Sequence, residues 1–251
     1  MSNPIYSPNN EHESPERMSF DYLFDGSGNG LPCVTAPAVE REIKLRTSYG
    51  ESFFTPLDYL CTYSYPLLIW LHSQQGDETE LLSVMPKVSL RNYIGVAPQG
   101  FSKKHGSVWP ALCLSDIENR VLESVDRIRS QFNVNSKRIF LAGLDAGGTA
   151  AMALALTRPD FFAGAAIFNA PTPRLPMMFR QFKLQKKQTY FVGFQESSHD
   201  YSAPDLKEDI DTFTNAGINI QFKEYKDESF NSQMYADINR WIMQTISTAA
   251  F

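Results

Sequence analysis

The stretch KRIFLAGLDAGGTAAMALALTR, residues 137–158, decides how the chain is expected to fold. Residues Ile139 to Ala142 form a continuous apolar run, which predicts a buried strand because a half-exposed strand would alternate in polarity. The segment Gly143 to Gly148 is rich in glycine and predicts a tight turn. An Ala- and Leu-rich helix is expected to follow at once. The stretch therefore predicts a buried strand, a sharp turn and a closely packed helix.

The turn has the spacing of a nucleophile elbow, the G-x-S-x-G motif that places a catalytic serine between a strand and a helix. Here the motif reads Gly143-Leu144-Asp145-Ala146-Gly147, so the glycine frame is intact but Asp145 replaces the serine. The frame needs glycines because the strand and the helix pack closely. The functional interpretation of the sequence therefore depends on what Asp145 does.

Composition sets the outer bounds on what the protein can be. The chain has 251 residues, 43% of them hydrophobic, and a net charge of −5, which suits one α/β domain and gives no reason to expect nucleic-acid binding. No apolar stretch is long enough for a membrane span and the N-terminus lacks signal-peptide features, so a cytoplasmic, reduced location is predicted. Cys33, Cys61 and Cys113 are odd in number and widely spaced, and predict neither a disulfide framework nor a zinc site.

The first 38 residues differ in composition from the rest. Residues 1–17 are polar and rich in Pro, Asn and Ser, which predicts a disordered tail. Residues 18–38 add aromatic side chains and predict an arm that docks on the domain or on a partner. Residues 39–251 are predicted to form a single domain, beginning with two strands of an antiparallel edge at 42–47 and 52–56.

From Tyr65 onwards, apolar strands alternate with helical patterns. This alternation predicts an α/β fold with three layers, in which helices cover both faces of a mostly parallel sheet. Strands are expected at 66–72, 93–97, 139–142, 164–168, 189–194 and 218–225. Helices are expected at 78–90 with an interruption at Pro86, at 117–132, directly after the elbow, at 204–216 and at 232–247.

Three motifs carry a resemblance to a known superfamily. They are WLHSQQGD at 70–77, LAGLDAGG at 141–148 with RPDFFAG at 158–164, and YADINRWI at 235–242. On these motifs, residues 65–247 resemble an α/β-hydrolase, nearest to the phospholipase/carboxylesterase branch and the related polyhydroxybutyrate-depolymerase-like esterases. The resemblance implies the three-layer α/β-hydrolase fold, whereas function has to be argued from the site.

The resemblance also implies positions for a catalytic triad. A serine at the elbow would be the nucleophile, a late acid would orient a histidine, and the histidine would take the serine proton. The acid position corresponds to Glu196 and the histidine position to Glu228, and no histidine follows residue 199. Because Asp145 and Glu228 replace the serine and the histidine, the triad is degenerate and Ser-hydrolase activity is predicted to be absent.

The loop after the first parallel strand departs from the family as well. In the family, backbone N–H groups of an oxyanion hole come from this loop and from the residue after the nucleophile. Those positions correspond here to Ser73 or Gln74 and to Ala146. The glycine that usually follows the loop histidine is Ser73 in this chain, which changes the loop that would supply the first donor.

Two roles of Asp145 are open. In a non-catalytic binding protein, a pseudoenzyme, Asp145 would cap the helix by accepting hydrogen bonds from its first amides, and this is the favoured interpretation. Alternatively, Asp145 is itself a nucleophile, as in haloalkane dehalogenases and some epoxide hydrolases of this fold, because a carboxylate needs no base for the first attack. Water would still need a base for the second step, for which His199 and Glu228 are the candidates.

The remaining candidates receive structural interpretations. His72 is expected to hydrogen-bond locally, His105 to lie on a solvated loop and His12 in the tail. Asp145, Glu196 and Glu228 could together hold Ca²⁺. Separate solvated acids are the favoured reading, so no metal site and no cofactor are predicted.

The segment 169–187 contains five arginines or lysines and no acid, around an apolar Pro176–Phe179. It is expected to be a surface helix with long cationic side chains. A site for an anionic or acyl ligand, or for a protein surface, is the alternative. The predicted partners are therefore a small-molecule or acyl ligand or a protein, and the sequence predicts no oligomeric state.

Overall fold

The structure is a computed structural model that describes residues 44–46, 50–74, 76–100, 114–173, 188–195, 203–226 and 230–248. The tail 1–17, the arm 18–38 and residues 174–187 of the basic segment lie outside the described residues. The predictions made for them, and the assignment of residues 39–251 to one domain, remain predictions.

Eight strands form one sheet, with the order β1-β2-β4-β3-β5-β6-β7-β8. Strand β2 pairs antiparallel with β1 and with β4, whereas all pairings from β4 onwards in this order, through β3 and β5 to β8, are parallel. The prediction of a mostly parallel sheet with an antiparallel N-terminal edge is confirmed. The strands are β1 (Lys44–Arg46), β2 (Glu51–Phe54), β3 (Tyr65–Leu71), β4 (Ile94–Pro98), β5 (Val134–Leu144), β6 (Gly164–Phe168), β7 (Thr189–Gln195) and β8 (Asn219–Tyr225).

Helices cover both faces of this sheet, as predicted for a three-layer fold. Helices α2, α3 and α4 contribute to one buried apolar cluster, and α1 and α5 contribute to a second cluster on the other side of the strands. The helices are α1 (Glu80–Val88), α2 (Leu114–Gln131), α3 (Ala146–Thr157), α4 (Ala203–Asn215) and α5 (Phe230–Thr248).

The sequence pattern explains why the elbow lies in the middle of the molecule. Strand β3 is buried at every position, and its neighbour β5 is buried from Ile139 to Gly143. Helix α3 is apolar on all sides and nearly all of it is buried, which is typical of a helix enclosed by the core. The elbow therefore joins the buried end of β5 to a helix that is itself almost entirely buried.

Pro86 does not interrupt helix α1, so that prediction is wrong. The helix runs continuously from Glu80 to Val88 with Pro86 in its last turn. A proline there removes one helical hydrogen bond, and the helix ends two residues later in any case. The helix is also shorter than the predicted range of 78–90.

Cys61 is disulfide-bonded, although the number and spacing of the cysteines do not indicate a disulfide framework. Its partner lies outside the described residues. The cytoplasmic location remains a prediction. None of the described helices combines the length and the hydropathy that crossing a membrane requires.

Candidate functional site

The elbow residue Asp145 lies between the end of β5 at Leu144 and the start of α3 at Ala146. Its backbone angles are φ 52° and ψ −124°, which an L-residue with a side chain rarely adopts. Two backbone hydrogen bonds hold it there: its N–H donates to the Phe168 oxygen over 3.0 Å, and its oxygen accepts from the Thr149 N–H over 3.1 Å. Asp145 therefore has the strained geometry of a nucleophile elbow.

Close backbone contacts explain the glycines of the motif. A Cβ atom on Gly147 would lie 2.1 Å from the Leu71 oxygen and 2.4 Å from the His72 oxygen. A Cβ atom on Gly143 would lie 2.5 Å from the backbone carbon of Gly147. Helix α3 thus starts directly against the ends of β3 and β5, and only glycine fits at these two positions.

The carboxylate of Asp145 makes no capping hydrogen bond to helix α3. Asp145 occupies the N-cap position, but the expectation that its side chain caps the helix is wrong. An N-cap residue ordinarily has an extended backbone, from which its side chain reaches back to the helix amides. Asp145 has a positive φ of 52° instead. The strained backbone, which costs on the order of 1–3 kcal/mol, has no helix cap to offset it.

This strain leads to a prediction that compares two variants lacking the carboxylate. Asp145→Gly should have a free energy of unfolding about 1–2 kcal/mol higher than Asp145→Ala, because only glycine adopts a positive φ without a Cβ clash. Urea denaturation of both variants measures the difference. Equal stabilities would mean that the elbow relaxes in solution, whereas a more stable Asp145→Ala would exclude the strained geometry.

The candidate oxyanion loop after β3 is held by Glu80, a residue that the sequence analysis did not single out. The Glu80 carboxylate accepts hydrogen bonds from the Ser73 N–H over 3.2 Å, from the Ser73 hydroxyl over 2.6 Å and from Trp70 Nε1 over 2.9 Å. Because the Ser73 N–H is engaged with Glu80, Gln74 is the better candidate for the donor from this loop. Gln74 is exposed.

His72 is fully buried, and one of its two hydrogen bonds is local, to Ser73, as predicted, whereas the other comes from Gly100. Its Nε2 accepts from the Gly100 N–H over 3.0 Å, and its Nδ1 lies 2.8 Å from the Ser73 oxygen. A backbone N–H can only donate and a carbonyl can only accept, so the ring proton must be on Nδ1. Both nitrogens are therefore occupied in joining β3 to the segment after β4.

A second strained residue, Asn169, lies beside the elbow at the end of β6. It has a positive φ of 44°, and the register Leu144↔Phe168 makes it the neighbour of Asp145 across the sheet. Its Oδ1 accepts a 2.8 Å hydrogen bond from the Gln195 N–H, and Gln195 directly precedes the acid position Glu196. Apart from glycine, asparagine is among the residues that most readily adopt a positive φ. An Asn directly after a buried strand is the sequence signal that could have indicated the role of Asn169.

The histidine position, Glu228, falls between two described anchor points. The Tyr225 hydroxyl donates a 2.8 Å hydrogen bond to the buried Asp237 carboxylate, and the Phe230 ring lies 5.3 Å from the Tyr225 ring. Burial, and next the hydrogen bond to Asp237, raise the pKa of Tyr225 above its ordinary value. The chain is therefore fixed on both sides of residues 227–229.

Several candidate residues themselves lie outside the described residues: Glu196, His199, Glu228, His105 and His12. Their roles, and the joint Ca²⁺ site of Asp145, Glu196 and Glu228, remain predictions. Within the described ranges, no group of three or more His, Cys, Asp or Glu side chains is arranged to hold a metal ion.

The parallel sheet, the strained elbow and the glycine frame together define an α/β-hydrolase. The Esterase family model matches residues 92–244, which is more than half of the chain. The chain belongs to this family.

Solved structures of esterases share the fold. S-formylglutathione hydrolase from Staphylococcus aureus superposes with a TM-score of 0.60 at 16% identity, covering 80% of this chain and 95% of its own. The carboxylesterase of Bacillus cereus gives a TM-score of 0.63 at 16% identity, with 78% and 93% covered. A ferulic acid esterase from Anaeromyces mucronatus, solved with ferulic acid, gives 0.60 at 12% identity, with 89% and 94% covered. No curated protein matches the chain.

Proposed function

We propose that this member of the esterase family is a pseudoenzyme, which binds a ligand or partner at the ancestral cleft without hydrolysing it. The observation that carries the proposal is the carboxylate at the strained elbow. Asp145 occupies the position where acyl transfer needs a serine hydroxyl, and the elbow geometry around it is retained. A protein that uses the cleft only for binding is expected to retain the backbone geometry of the elbow and to lack the catalytic hydroxyl.

Electrostatics support the same conclusion. In ester hydrolysis a negative oxyanion develops next to the N–H of the residue after the nucleophile, which here is Ala146. The Asp145 carboxylate places a fixed negative charge one residue away from that N–H. Such a charge raises the energy of an oxyanion instead of lowering it. A neutral or cationic group is therefore better suited to this cleft than an ester transition state.

The loss of a base supports it as well. By the family resemblance, Glu228 stands at the histidine position, and no histidine follows residue 199. A carboxylate base is much weaker than imidazole toward a serine hydroxyl or water unless its environment changes it greatly. The solved relatives named above are esterases and a thioester hydrolase, so acyl compounds are the first ligands to test.

Labelling with a fluorophosphonate tests the absence of serine-hydrolase chemistry. The reagent phosphonylates an activated serine hydroxyl with loss of fluoride. We expect the purified protein to remain unlabelled by intact mass, while an active serine esterase in the same reaction is labelled. Stoichiometric labelling of one serine would overturn the proposal.

A second candidate function, hydrolysis through Asp145, is favoured by one observation. The strained backbone has been kept although it supports no helix cap, and strain of this kind is typical of active sites. In this mechanism a carboxylate oxygen of Asp145 attacks the carbon of a haloalkane, halide leaves and an ester forms. Water activated by His199 or Glu228 then attacks the ester carbonyl and releases the alcohol.

Isotope labelling distinguishes this alternative. After one turnover in H₂¹⁸O, the heavy oxygen would reside in the Asp145 carboxylate, because water attacks the carbonyl carbon of the ester. The alcohol product would be unlabelled. We expect no heavy oxygen in the protein after incubation with a haloalkane, and its appearance in the peptide containing Asp145 would establish the alternative.

A further inference from the structure

Helices α1 and α5 pack side by side on one face of the sheet and leave an open groove of about 690 Å³. A volume of this size is typical of a site for a small molecule, for which about 300–1,000 Å³ is common. The groove lies toward the far ends of both helices. Lys87 is about 10 Å along α1 from Glu80, and Met243 is about 20 Å from the start of α5. The α1–α5 groove therefore shares no residue with the candidate site at the elbow.

The α1–α5 groove combines positive charge with apolar surface. Its apolar lining residues are Val88, Ala236 and Met243, and its cations are Lys87 and Arg240. Two of these side chains are open to solvent: Met243 is 41% exposed and the Arg240 side chain 63%. Among the described residues that line the groove, none is acidic. A chain with a net charge of −5 thus presents a positive, partly apolar groove at this position.

Arg240 has donors to spare for a ligand. One of its N–H groups donates a 2.5 Å hydrogen bond to the buried Asp237 carboxylate. Asp237 also accepts from Lys223 over 2.6 Å and from the Tyr225 hydroxyl over 2.8 Å, so it does not depend on Arg240 alone. A guanidinium has five N–H donors. The exposed remainder of the Arg240 head group can therefore bind an anion in the groove.

Lys87 supplies the second cation. Its ammonium lies 5.0 Å from the centre of the Tyr235 ring on α5, so it is on the α5 side of its own helix. A helix end by itself favours a cation in its last turn, which is a sufficient reason for Lys87 alone. Arg240 lies in the middle of α5, where no helix end explains it. The pair of cations, and not Lys87 alone, indicates an anionic ligand.

We infer that the α1–α5 groove binds a small molecule in which a carboxylate is attached to an apolar chain. The planar Arg240 guanidinium matches the two oxygens of a carboxylate, and Lys87 adds a second positive charge. Met243 is a flexible, polarisable side chain that adapts to apolar ligands, and it packs against the chain together with Val88. The inference does not depend on the proposed function, because it concerns a different site.

Other occupants use only part of this surface. An inorganic anion makes no contact with the apolar lining, and an uncharged hydrocarbon leaves both cations without a partner. A cationic amphiphile is repelled by Lys87 and Arg240. Only a ligand with both an anionic and an apolar part uses all of the groove.

The first arm of the test compares three ligands of equal chain length by isothermal titration calorimetry. The probe is octanoate, used below the concentration at which it forms micelles, and its counterparts are octanol and octylamine. We expect saturable binding of octanoate by the wild type, and binding of the other two that is at least about fivefold weaker. No binding of octanoate, or equal binding of octanoate and octanol, would overturn the inference.

The second arm locates the bound octanoate. Arg240→Gln should weaken its binding about fivefold, and Arg240→Lys, which keeps the charge, should weaken it less. Lys87→Gln should also weaken it and serves as the test if Arg240→Gln does not fold. The matched control is Arg129→Gln, the same change at an exposed position on α2, which should leave octanoate binding unchanged.

Unchanged binding in the folded groove variants would place octanoate elsewhere, such as in the cleft at the elbow, and would overturn the inference. Ester turnover by the wild type is a separate result. It would contradict the proposed function and leave the comparison of the groove variants interpretable.

Discussion

The double variant Asp145→Ser/Glu228→His is expected to react with a fluorophosphonate and to hydrolyse short acyl esters, whereas the wild type is expected to do neither. The elbow, its glycines and the Ala146 N–H are all present, so under the proposed function the parts to be restored are the hydroxyl and the base. In serine hydrolases, loss of either the serine or the histidine removes nearly the whole contribution of the triad, on the order of 10⁶-fold in kcat. Each single variant should therefore be as inactive as the wild type. Even partial recovery, on the order of 10³-fold over the single variants, would be readily measured.

The control for this experiment is Asp145→Ala/Glu228→His, which contains the new base without a nucleophile. It should show neither labelling nor hydrolysis. Labelling of Asp145→Ser alone would mean that another base is already in place, which would favour His199. A folded double variant without any labelling would contradict the assignment of Glu228 to the histidine position.

Gly147→Ala is expected to destabilise the protein by roughly 3 kcal/mol or more, or to prevent folding, because overpacking against rigid backbone is among the most costly core changes. The added Cβ would lie 2.1 Å from the Leu71 oxygen and 2.4 Å from the His72 oxygen. Both atoms belong to the backbone at the end of β3, in the middle of the sheet, and cannot move aside as a flexible side chain would. Circular dichroism during urea denaturation gives the free energy of unfolding.

Gly217→Ala is the comparison for this prediction. Gly217 has a positive φ of 92°, and a Cβ added there would have no atom within 4 Å, so its substitution adds backbone strain without a clash. We expect Gly217→Ala to lower the free energy of unfolding by about 1 kcal/mol. If Gly147→Ala lowered the free energy of unfolding no more than Gly217→Ala does, the close packing of α3 against β3 would be contradicted.

The course of the chain could be predicted from its sequence because the signals are local. Strand β6 lies at its predicted bounds, and the apolar run before Gly143 indicates the central strand. The glycine frame predicts the elbow because its spacing follows from a close contact between strand and helix. These features depend on neighbours in the sequence, which a single sequence displays directly.

The details of the site depend on long-range contacts and are predicted less well. The residue type of Asp145 predicts a helix cap, but its backbone is held by hydrogen bonds to Phe168 on β6 and to Thr149 on α3. Asn169 accepts a hydrogen bond from Gln195, which lies 26 positions further along the chain, and no local sequence pattern predicts that contact. Likewise, nothing in the order of residues shows that Glu80 binds the Ser73 N–H, because only the folded loop brings the two together.

The most direct test of the proposed function is the rate at which the wild type hydrolyses a panel of short and long acyl esters, an epoxide and a haloalkane. The same measurement on Asp145→Asn, purified in parallel, serves to subtract contaminating activity. A pseudoenzyme gives equal background rates for the two proteins with every compound. A wild-type rate that exceeds the background and disappears in Asp145→Asn would show that Asp145 performs catalysis, and would identify the substrate class at the same time.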